Sequence, residues 1–221
     1  NHEEHQLCTI SVGIVGDVCR SLNEKVLKYS ETLLTALFED LQSPVLHRNV
    51  KPHILSCFGD MAMAIGPAFE TYLPSAMTVL QQASMVQNPV ESIDYEMIEY
   101  VNDLREGIAE AYVGILSGLR GGGRVELLAP YMDAMLAFVG LVASDGMDRS
   151  ESLLRATIGL LGDMASAFPA GPVLVKLQQP WVLDYIKLGR SRGNSSETRK
   201  TANWAREVLK ASAGSMGAPV L

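Results

Sequence analysis

Gly13-Ile14-Val15-Gly16-Asp17-Val18-Cys19 returns as Ser56-Cys57-Phe58-Gly59-Asp60-Met61-Ala62, and again as Gly159-Leu160-Leu161-Gly162-Asp163-Met164-Ala165. A degenerate copy, Tyr112-Val113-Gly114-Ile115-Leu116, falls between the last two. With Asp17, Asp60, Ile115 and Asp163 taken as equivalent, the spacings are 43, 55 and 48 residues. Self-similarity at a near-constant period means that one supersecondary unit is repeated and stacked.

The units are helical. Leu33, Leu34, Leu37, Phe38 and Leu41 recur at helical spacing, as do Tyr72, Leu73, Ala76, Met77 and Leu80, and Met132, Met135, Leu136 and Val139. Ser43-Pro44, Gly66-Pro67, Asn88-Pro89, Gly121-Gly122-Gly123, Asp145-Gly146 and Pro169 to Pro172 punctuate them. No sustained alternation asks for strands, and Val173-Leu174-Val175 is the one β-like triplet. The expectation is nine helices at about 3–21, 25–41, 48–65, 70–86, 92–119, 125–143, 149–167, 179–189 and 196–212. Pro52 is placed near the first turn of the third or at a bend in it. The fold class is all-α: a right-handed solenoid of antiparallel helix pairs of the HEAT or armadillo type, because units of both types run about 40–47 residues. One domain spans 1–221, with 211–221 a flexible tail. A first helix without an earlier partner, and Asn1 in place of Met, suggest a piece of a longer chain whose cut helix exposes apolar surface.

Composition excludes several classes. The 221 residues are 48% hydrophobic, enough for a core, and carry 25 acidic against 18 basic side chains, a net charge of −7. Nucleic-acid binders carry basic patches, so an acidic chain points to a basic partner. Cys8, Cys19 and Cys57 form no CxxC pair, which fits reduced thiols and no zinc site. The longest uncharged run, Thr71 to Val90, is interrupted by Pro74, Gln81, Gln82, Ser84, Gln87 and Asn88, and reads as a surface helix and loop instead of a membrane span. His2, His5, His47 and His53 form no HExxH, and Gly121–Gly123 lacks the lysine and preceding strand of a phosphate loop. The expectation is a non-enzyme without cofactor or metal.

The Gly-Asp pairs allow two readings. In one, Asp17, Asp60 and Asp163 contact a ligand or metal. In the other, Gly16, Gly59 and Gly162 permit close helix packing while each Asp takes donors from a neighbouring repeat. Stacking separates equivalent carboxylates by roughly 10 Å, too far for one ion.

The fifth helix carries Glu96, Glu99, Asp103, Glu106 and Glu110 at spacings of 3, 4, 3 and 4, with Arg105 the one base between Asp94 and Glu110. At 100° per residue they fill an arc of about 80°. Met97, Val101, Leu104, Ile108, Ala111 and Ile115 form the opposing apolar stripe. Acidic neighbours at this spacing repel by about 0.2–0.5 kcal/mol per pair, so the helix itself gains nothing from them. Either the row is an ordinary solvated face, or it receives a cationic helix whose arginines meet carboxylates at matching spacing. Trp204 lies on a flank of the last helix, beside the packing face of Thr201, Ala202, Ala205, Val208 and Leu209; it is either a terminal core residue or an exposed indole for a cationic stem. Trp181 is expected inside. Lys187, Arg190, Arg192, Arg199, Lys200, Arg206 and Lys210 read as a polar cap on the final repeat. Leu33, Leu34, Leu37 and Phe38, with Leu73, Met77 and Leu80 one repeat on, either fill the core or leave slots for single Phe side chains of a disordered partner.

Three stretches carry a resemblance: Val12-Gly13-Ile14-Val15-Gly16-Asp17-Val18-Cys19-Arg20-Ser21-Leu22, Val50-Lys51-Pro52-His53-Ile54-Leu55-Ser56-Cys57-Phe58-Gly59-Asp60, and Leu104-Arg105-Glu106-Gly107-Ile108-Ala109-Glu110-Ala111-Tyr112. With Thr201-Ala202-Asn203-Trp204-Ala205 near the end, they resemble the C-terminal HEAT repeats of the importin beta family in one collinear order. Gly121–Gly123 and the small-residue tail from Ala211 depart from its pattern. The resemblance implies a nuclear import receptor that moves between cytoplasm and nucleus through the nuclear pore. It implies that a basic helix of the importin alpha adaptor, or basic cargo, binds at Glu96, Glu99, Asp103, Glu106, Glu110 and Trp204, with Asp60 and Asp163 helping. It further implies phenylalanine-glycine nucleoporins on outer helices, and Ran-GTP contacts mainly in N-terminal repeats outside this chain. The alternative is a HEAT scaffold subunit of a multiprotein complex, which would present a flat apolar interface instead; a small helical enzyme comes third.

Overall fold

The repeat spacing read from the sequence reappears as a register between parallel helices. The computed structural model describes residues 2–87, 94–145 and 149–215. Among them every regular element is helical: α1 (His2–Leu22), α2 (Ser30–Gln42), α3 (Lys51–Ile65), α4 (Leu73–Ser84) and α5 (Tyr95–Gly121) come first. Then follow α6 (Met132–Ser144), α7 (Glu151–Ala167), α8 (Pro172–Leu177), α9 (Pro180–Gly189) and α10 (Ser196–Ser215). The chain forms two compact units, Asn1–Leu127 and Leu128–Leu221.

In the first unit α1, α3 and α5 run parallel. The Cys57 thiol donates to the Val12 carbonyl at 3.3 Å and Gly16 faces the Asp60 carboxylate, offsets of 45 and 44 residues. Gly107 faces Pro52 and Gly114 faces Gly59, both an offset of 55. The α2 segment runs antiparallel to α3, since Asn23 and Glu24 lie by Ile65 while Gln42 lies by Lys51. In the second unit α7 and α10 are parallel at an offset of 42, with Gly159 against Thr201 and Gly162 against Trp204. Gly189 of α9 meets Ile158 and Ala202, and so closes the pair.

Several expected helices have a different entry. Segments of 3-10 helix at Asn23–Tyr29, Gly66–Thr71 and Val125–Tyr131 lead into α2, α4 and α6. Tyr29, Tyr72 and Tyr131 stand at the three junctions, each three residues after a fully buried apolar side chain: Val26, Phe69 and Leu128. A period of 3.0 and one of 3.6 bury nearly the same positions over two turns, which is why continuous helices were expected from 25 and from 125; the Gly66–Thr71 segment lies mostly ahead of the start expected at 70. The expected helix over 48–65 is likewise a 3-10 turn, Arg48–Val50, followed by α3; Pro52 sits in its first turn, where the missing N–H has no partner to lose. Helix α5 starts at Tyr95, where Asp94 accepts the Met97 N–H at 3.1 Å; positions 92 and 93 of its expected start lie outside the described residues. The Val173–Val175 triplet is helical, inside α8. Helix α10 continues to Ser215, so the first part of the expected tail is helix, and 216–221 lie outside the described residues.

Among the described residues, Val125–Ser144 is long and apolar enough to cross a bilayer by composition. Pro130 divides it, and α6 buries Met135, Phe138 and Val139 in its own unit. The Cys19 and Cys57 thiols are free and buried, and burial pushes Cys57 up to about 12. On α1, Leu7, Ile10 and Ile14 are exposed.

A carboxylate ties α7 to α10. Glu151 accepts the Ser195 backbone N–H at 2.8 Å and the Thr198 hydroxyl at 2.6 Å. Hydrogen bonds from Ser195 and then Thr198 lower its pKa to about 2. Its folded value lies below the unfolded one, so the stabilisation is complete above pH of about 4.5 and is lost as pH falls towards 2. In urea titrations between pH 5 and 2, Glu151→Gln is expected to lose stability less steeply than the parent chain; parallel curves would show that the tie contributes nothing.

Candidate protein-binding face

Glycines set the rotation of α5. A Cβ on Gly114 would lie 2.6 Å from the Gly59 carbonyl carbon and oxygen, and one on Gly118 would lie 2.5 Å from the Ala62 carbonyl carbon. A Cβ on Gly59 in turn would lie 2.8 Å from the Glu110 carbonyl oxygen. Helices this close have one workable rotation. It buries Val101, Leu104, Ile108, Ala111 and Ile115 of the expected stripe, leaves Met97 half-buried, and turns Arg105 inward to 2% exposure. Glu96, Glu99, Asp103 and Glu110 are exposed on the other side, with Glu106 half-buried among them.

Neighbouring helices extend this face. Asp60 and His53 of α3 adjoin it, and Arg20 of α1 pairs with Asp60 at 2.5 Å and Asp17 at 2.7 Å. Glu96 has Arg48 at 3.6 Å, and the Arg48 guanidinium lies 5.3 Å from the centre of the Tyr100 ring. Arg105 is thus not the only base near the row. Glu96 and Asp60 are bridged by arginines from other helices, which spacing along one helix does not reveal. Among the described residues Glu99, Asp103 and Glu110 make no ion pair. Partial burial, then Glu99 and Glu106, raise the Asp103 pKa, opposed by His53. Burial, then Glu106 and Asp60, raise that of Glu110, opposed by Arg20. Each of the two is more easily protonated in the folded chain than in the unfolded one, so ionisation here costs stability and an external cation would relieve it.

The second unit carries Trp204 and Asp163. The indole is 43% exposed, and its six-membered ring covers Gly162, where a Cβ would lie 2.8 Å from Cη2. Ala202, Ala205 and Leu209 form the buried face beside it. Asp163 follows Gly162 and is half-buried. In the first unit the Asp60 carboxylate lies over Gly16 and the Glu110 backbone carbonyl over Gly59; in the second the Trp204 ring lies over Gly162. Trp181 is half-buried near Gly140 and donates to the Gln179 side chain at 2.8 Å.

The apolar slot needs a larger correction. Leu34 and Leu37 are core residues, at 0% and 3% exposure, and Leu73, Met77 and Leu80 are buried as well. Leu33 and Phe38 stay half-exposed. A cavity of about 270 Å³ lies between α2 and α4, lined by Phe38, Leu41, Val79, Val86, Tyr100 and Leu104 among others. Of the expected slot residues only Phe38 lines this cavity; Val79, Val86 and Tyr100 come from other segments, which spacing along α2 does not reveal. Among the described residues no cluster of His, Cys, Asp and Glu is arranged to hold a metal.

Comparison with known proteins matches residues 1–190 to the family described as importin subunit beta-1-like, TPR repeats. Importin subunit beta-1 of Schizosaccharomyces pombe is 47% identical over 210 residues, covering 95% of this chain and 24% of the relative. That of Arabidopsis thaliana is 39% identical over 210 residues, with the same shares. Among solved structures, importin beta crystallised in polyethylene glycol is similar at a TM-score of 0.89 and 40% identity, covering 96% of this chain and 25% of that one. Two structures of Kap95 at 35% identity each cover 93% of this chain and 24% of their own: one with RanGDP at a TM-score of 0.83, one in complex with Nup1 at 0.82. The chain spans about a quarter of the length of the relatives it matches. With a match over most of its length and a helical-repeat fold in common, this chain belongs to the importin subunit beta-1-like family.

Proposed function

We propose that this chain is part of the C-terminal HEAT repeats of a nuclear transport receptor, a binding module without catalytic activity that works in the cytoplasm, the nucleus and the pore between them. The first unit binds a basic helical segment, of the importin alpha adaptor or of basic cargo, through Glu99, Asp103, Glu106 and Glu110, with Glu96 and Asp60 at the margins. The second unit binds basic segments through Trp204 and Asp163. The observation that carries the reading is the group of carboxylates at Glu99, Asp103 and Glu110, which have no ion pair among the described residues and, at Asp103 and Glu110, raised pKa values.

The slot beside Phe38 suits one aromatic side chain of a phenylalanine-glycine nucleoporin, and the Nup1 complex of Kap95 supports that class of partner. Ran contacts belong mainly to repeats outside this chain.

The experiment is a titration of an Arg/Lys-rich helical peptide by fluorescence anisotropy at low and high salt. Affinity should fall by about tenfold between 50 and 300 mM salt, because the screening length shortens from about 14 Å to about 6 Å over this range. Absence of binding, or an affinity insensitive to salt, would remove the electrostatic reading and leave the apolar one.

A further inference from the structure

The loop between α9 and α10 reads Arg190-Ser191-Arg192-Gly193-Asn194-Ser195. It places arginines five and three residues before a serine, and Arg190, Arg192 and Ser195 are all exposed. Residues two apart point the same way in an extended chain, so both guanidinium groups reach one acidic surface of a bound enzyme while the hydroxyl lies beyond them. This is the substrate spacing read by basophilic protein kinases. Neighbouring serines lack it: Ser191 has Arg190 directly before it, and Ser196 is offset by one residue. We propose that Ser195 is a phosphorylation site for a basophilic serine/threonine kinase, and that its phosphate displaces Glu151 from the start of α10.

Both arginines are available to an incoming enzyme. Arg192 makes no ion pair among the described residues, and Arg190 is engaged by one hydrogen bond, from its Nε to the Asn203 side chain at 2.8 Å. Gly193 has open space around it. The loop is held at its centre by the Asn194 amide, which donates to the Leu188 and Gly189 carbonyls at 2.9 and 3.2 Å. Releasing these hydrogen bonds, with fraying of the last carbonyls of α9 and the first turn of α10, lets the segment extend into an enzyme's active site.

In the transfer step the Ser195 oxygen attacks the γ-phosphorus of Mg·ATP. The new O–P bond forms as the bond from that phosphorus to the bridging oxygen of ADP breaks, and the hydroxyl proton passes to the carboxylate base of the kinase.

The consequence follows from what surrounds the hydroxyl. Ser195 Oγ accepts the Thr198 N–H at 3.2 Å and lies 3.1 Å from Thr198 Oγ1, whose proton goes to Glu151. A phosphate of about −1.5 to −2 charge there stands at the positive end of a helix and next to an ionised carboxylate. The helix end favours the phosphate and repulsion removes Glu151, so the tie between the first turns of α7 and α10 is replaced by a cap within α10. The inference rests on this loop and does not depend on what the acidic face binds.

The test incubates the whole chain with Mg·ATP and a purified kinase that selects arginine at both upstream positions, followed by initial rates and site-localising mass spectrometry. One phosphate on Ser195 is expected, absent in Ser195→Ala. Arg190→Ala with Arg192→Ala should slow transfer by about tenfold or more, as loss of two charged contacts implies, whereas Arg199→Ala should stay within about twofold. Phosphorylation should lower Tm by about 2–4 °C, and by less than half as much in Glu151→Gln, where the repulsion is gone. Transfer mainly to Ser191 or Ser196, an undiminished rate in the double arginine variant, or failure of the folded chain while a peptide of residues 187–200 reacts would each overturn the site. The same is true if neither reacts. An equal Tm shift in Glu151→Gln would overturn the displacement.

Discussion

Gly114→Ala lowers the unfolding free energy by about 3 kcal/mol, the upper range for forcing extra volume into a packed core. The added methyl group would lie 2.6 Å from the Gly59 carbonyl carbon and oxygen. Its obstacle is backbone, so no rotamer change relieves the clash, and α3 and α5 must move apart. That separation also loosens Gly107 on Pro52, Gly118 on Ala62 and the Ile108–Ala111–Ile115 row, because a gap of 0.5–1 Å forfeits a quarter to a half of each contact. For a chain of this size the loss corresponds to a fall in Tm of about 6–12 °C. Gly121→Ala is the control: its Cβ would meet nothing within 4 Å, and alanine favours helix, so its stability should be unchanged or slightly higher. Circular dichroism of both variants decides the matter. A Gly114→Ala transition that coincides with that of the parent chain would mean that α3 and α5 are not held in this close register.

The parts of the fold legible in the sequence are those fixed by period. Aligning Gly16, Gly59 and Gly162 with Gly114 gave spacings of 43 and 55 along α1, α3 and α5, and the helices meet at offsets of 44–45 and 55. Parallel stacking makes this so, since equivalent residues of adjacent repeats lie side by side. The apolar stripe of α5 was legible for the same reason, and with it the outward turn of Glu99, Asp103 and Glu110. What one helix's pattern cannot hold is whatever arrives from another. Arg20 and Arg48 approach from α1 and from the turn before α3, and bridge two carboxylates that seemed alike to their neighbours. Leu34 and Leu37 take the core, one of the two readings their spacing allowed, and Phe38, four residues after Leu34, is the member of that set that reaches the open slot with Leu41 and Val79. The tyrosine junctions at 29, 72 and 131 recur plainly once the 3-10 entries are known. The signal that would have found them is a buried apolar residue three positions before each tyrosine.

Reversing Glu99 and Asp103 together to lysine is expected to weaken a basic helical peptide by about 30-fold at 50 mM salt. Each reversal removes an attraction and adds a repulsion, about 1 kcal/mol apiece on a largely exposed face, and 2 kcal/mol is close to a factor of 30. The fold should tolerate the change, since both side chains are exposed and Glu99 is among the neighbours that raise the Asp103 pKa. Low pH should act in the same direction. The folded pKa values of Asp103 and Glu110 lie above the unfolded ones, so these groups take up protons, and release the peptide, at a higher pH than ordinary carboxylates would. The control reverses Glu31 and Glu39 on α2, which alters net charge equally but lies off this face. The decisive measurement is therefore the peptide Kd of the two double variants side by side at low and high salt. The account predicts a loss of about 30-fold for Glu99→Lys with Asp103→Lys that shrinks at 500 mM salt, and a loss below about threefold for the α2 pair. Equal losses in the two variants, or none in the first, would contradict it.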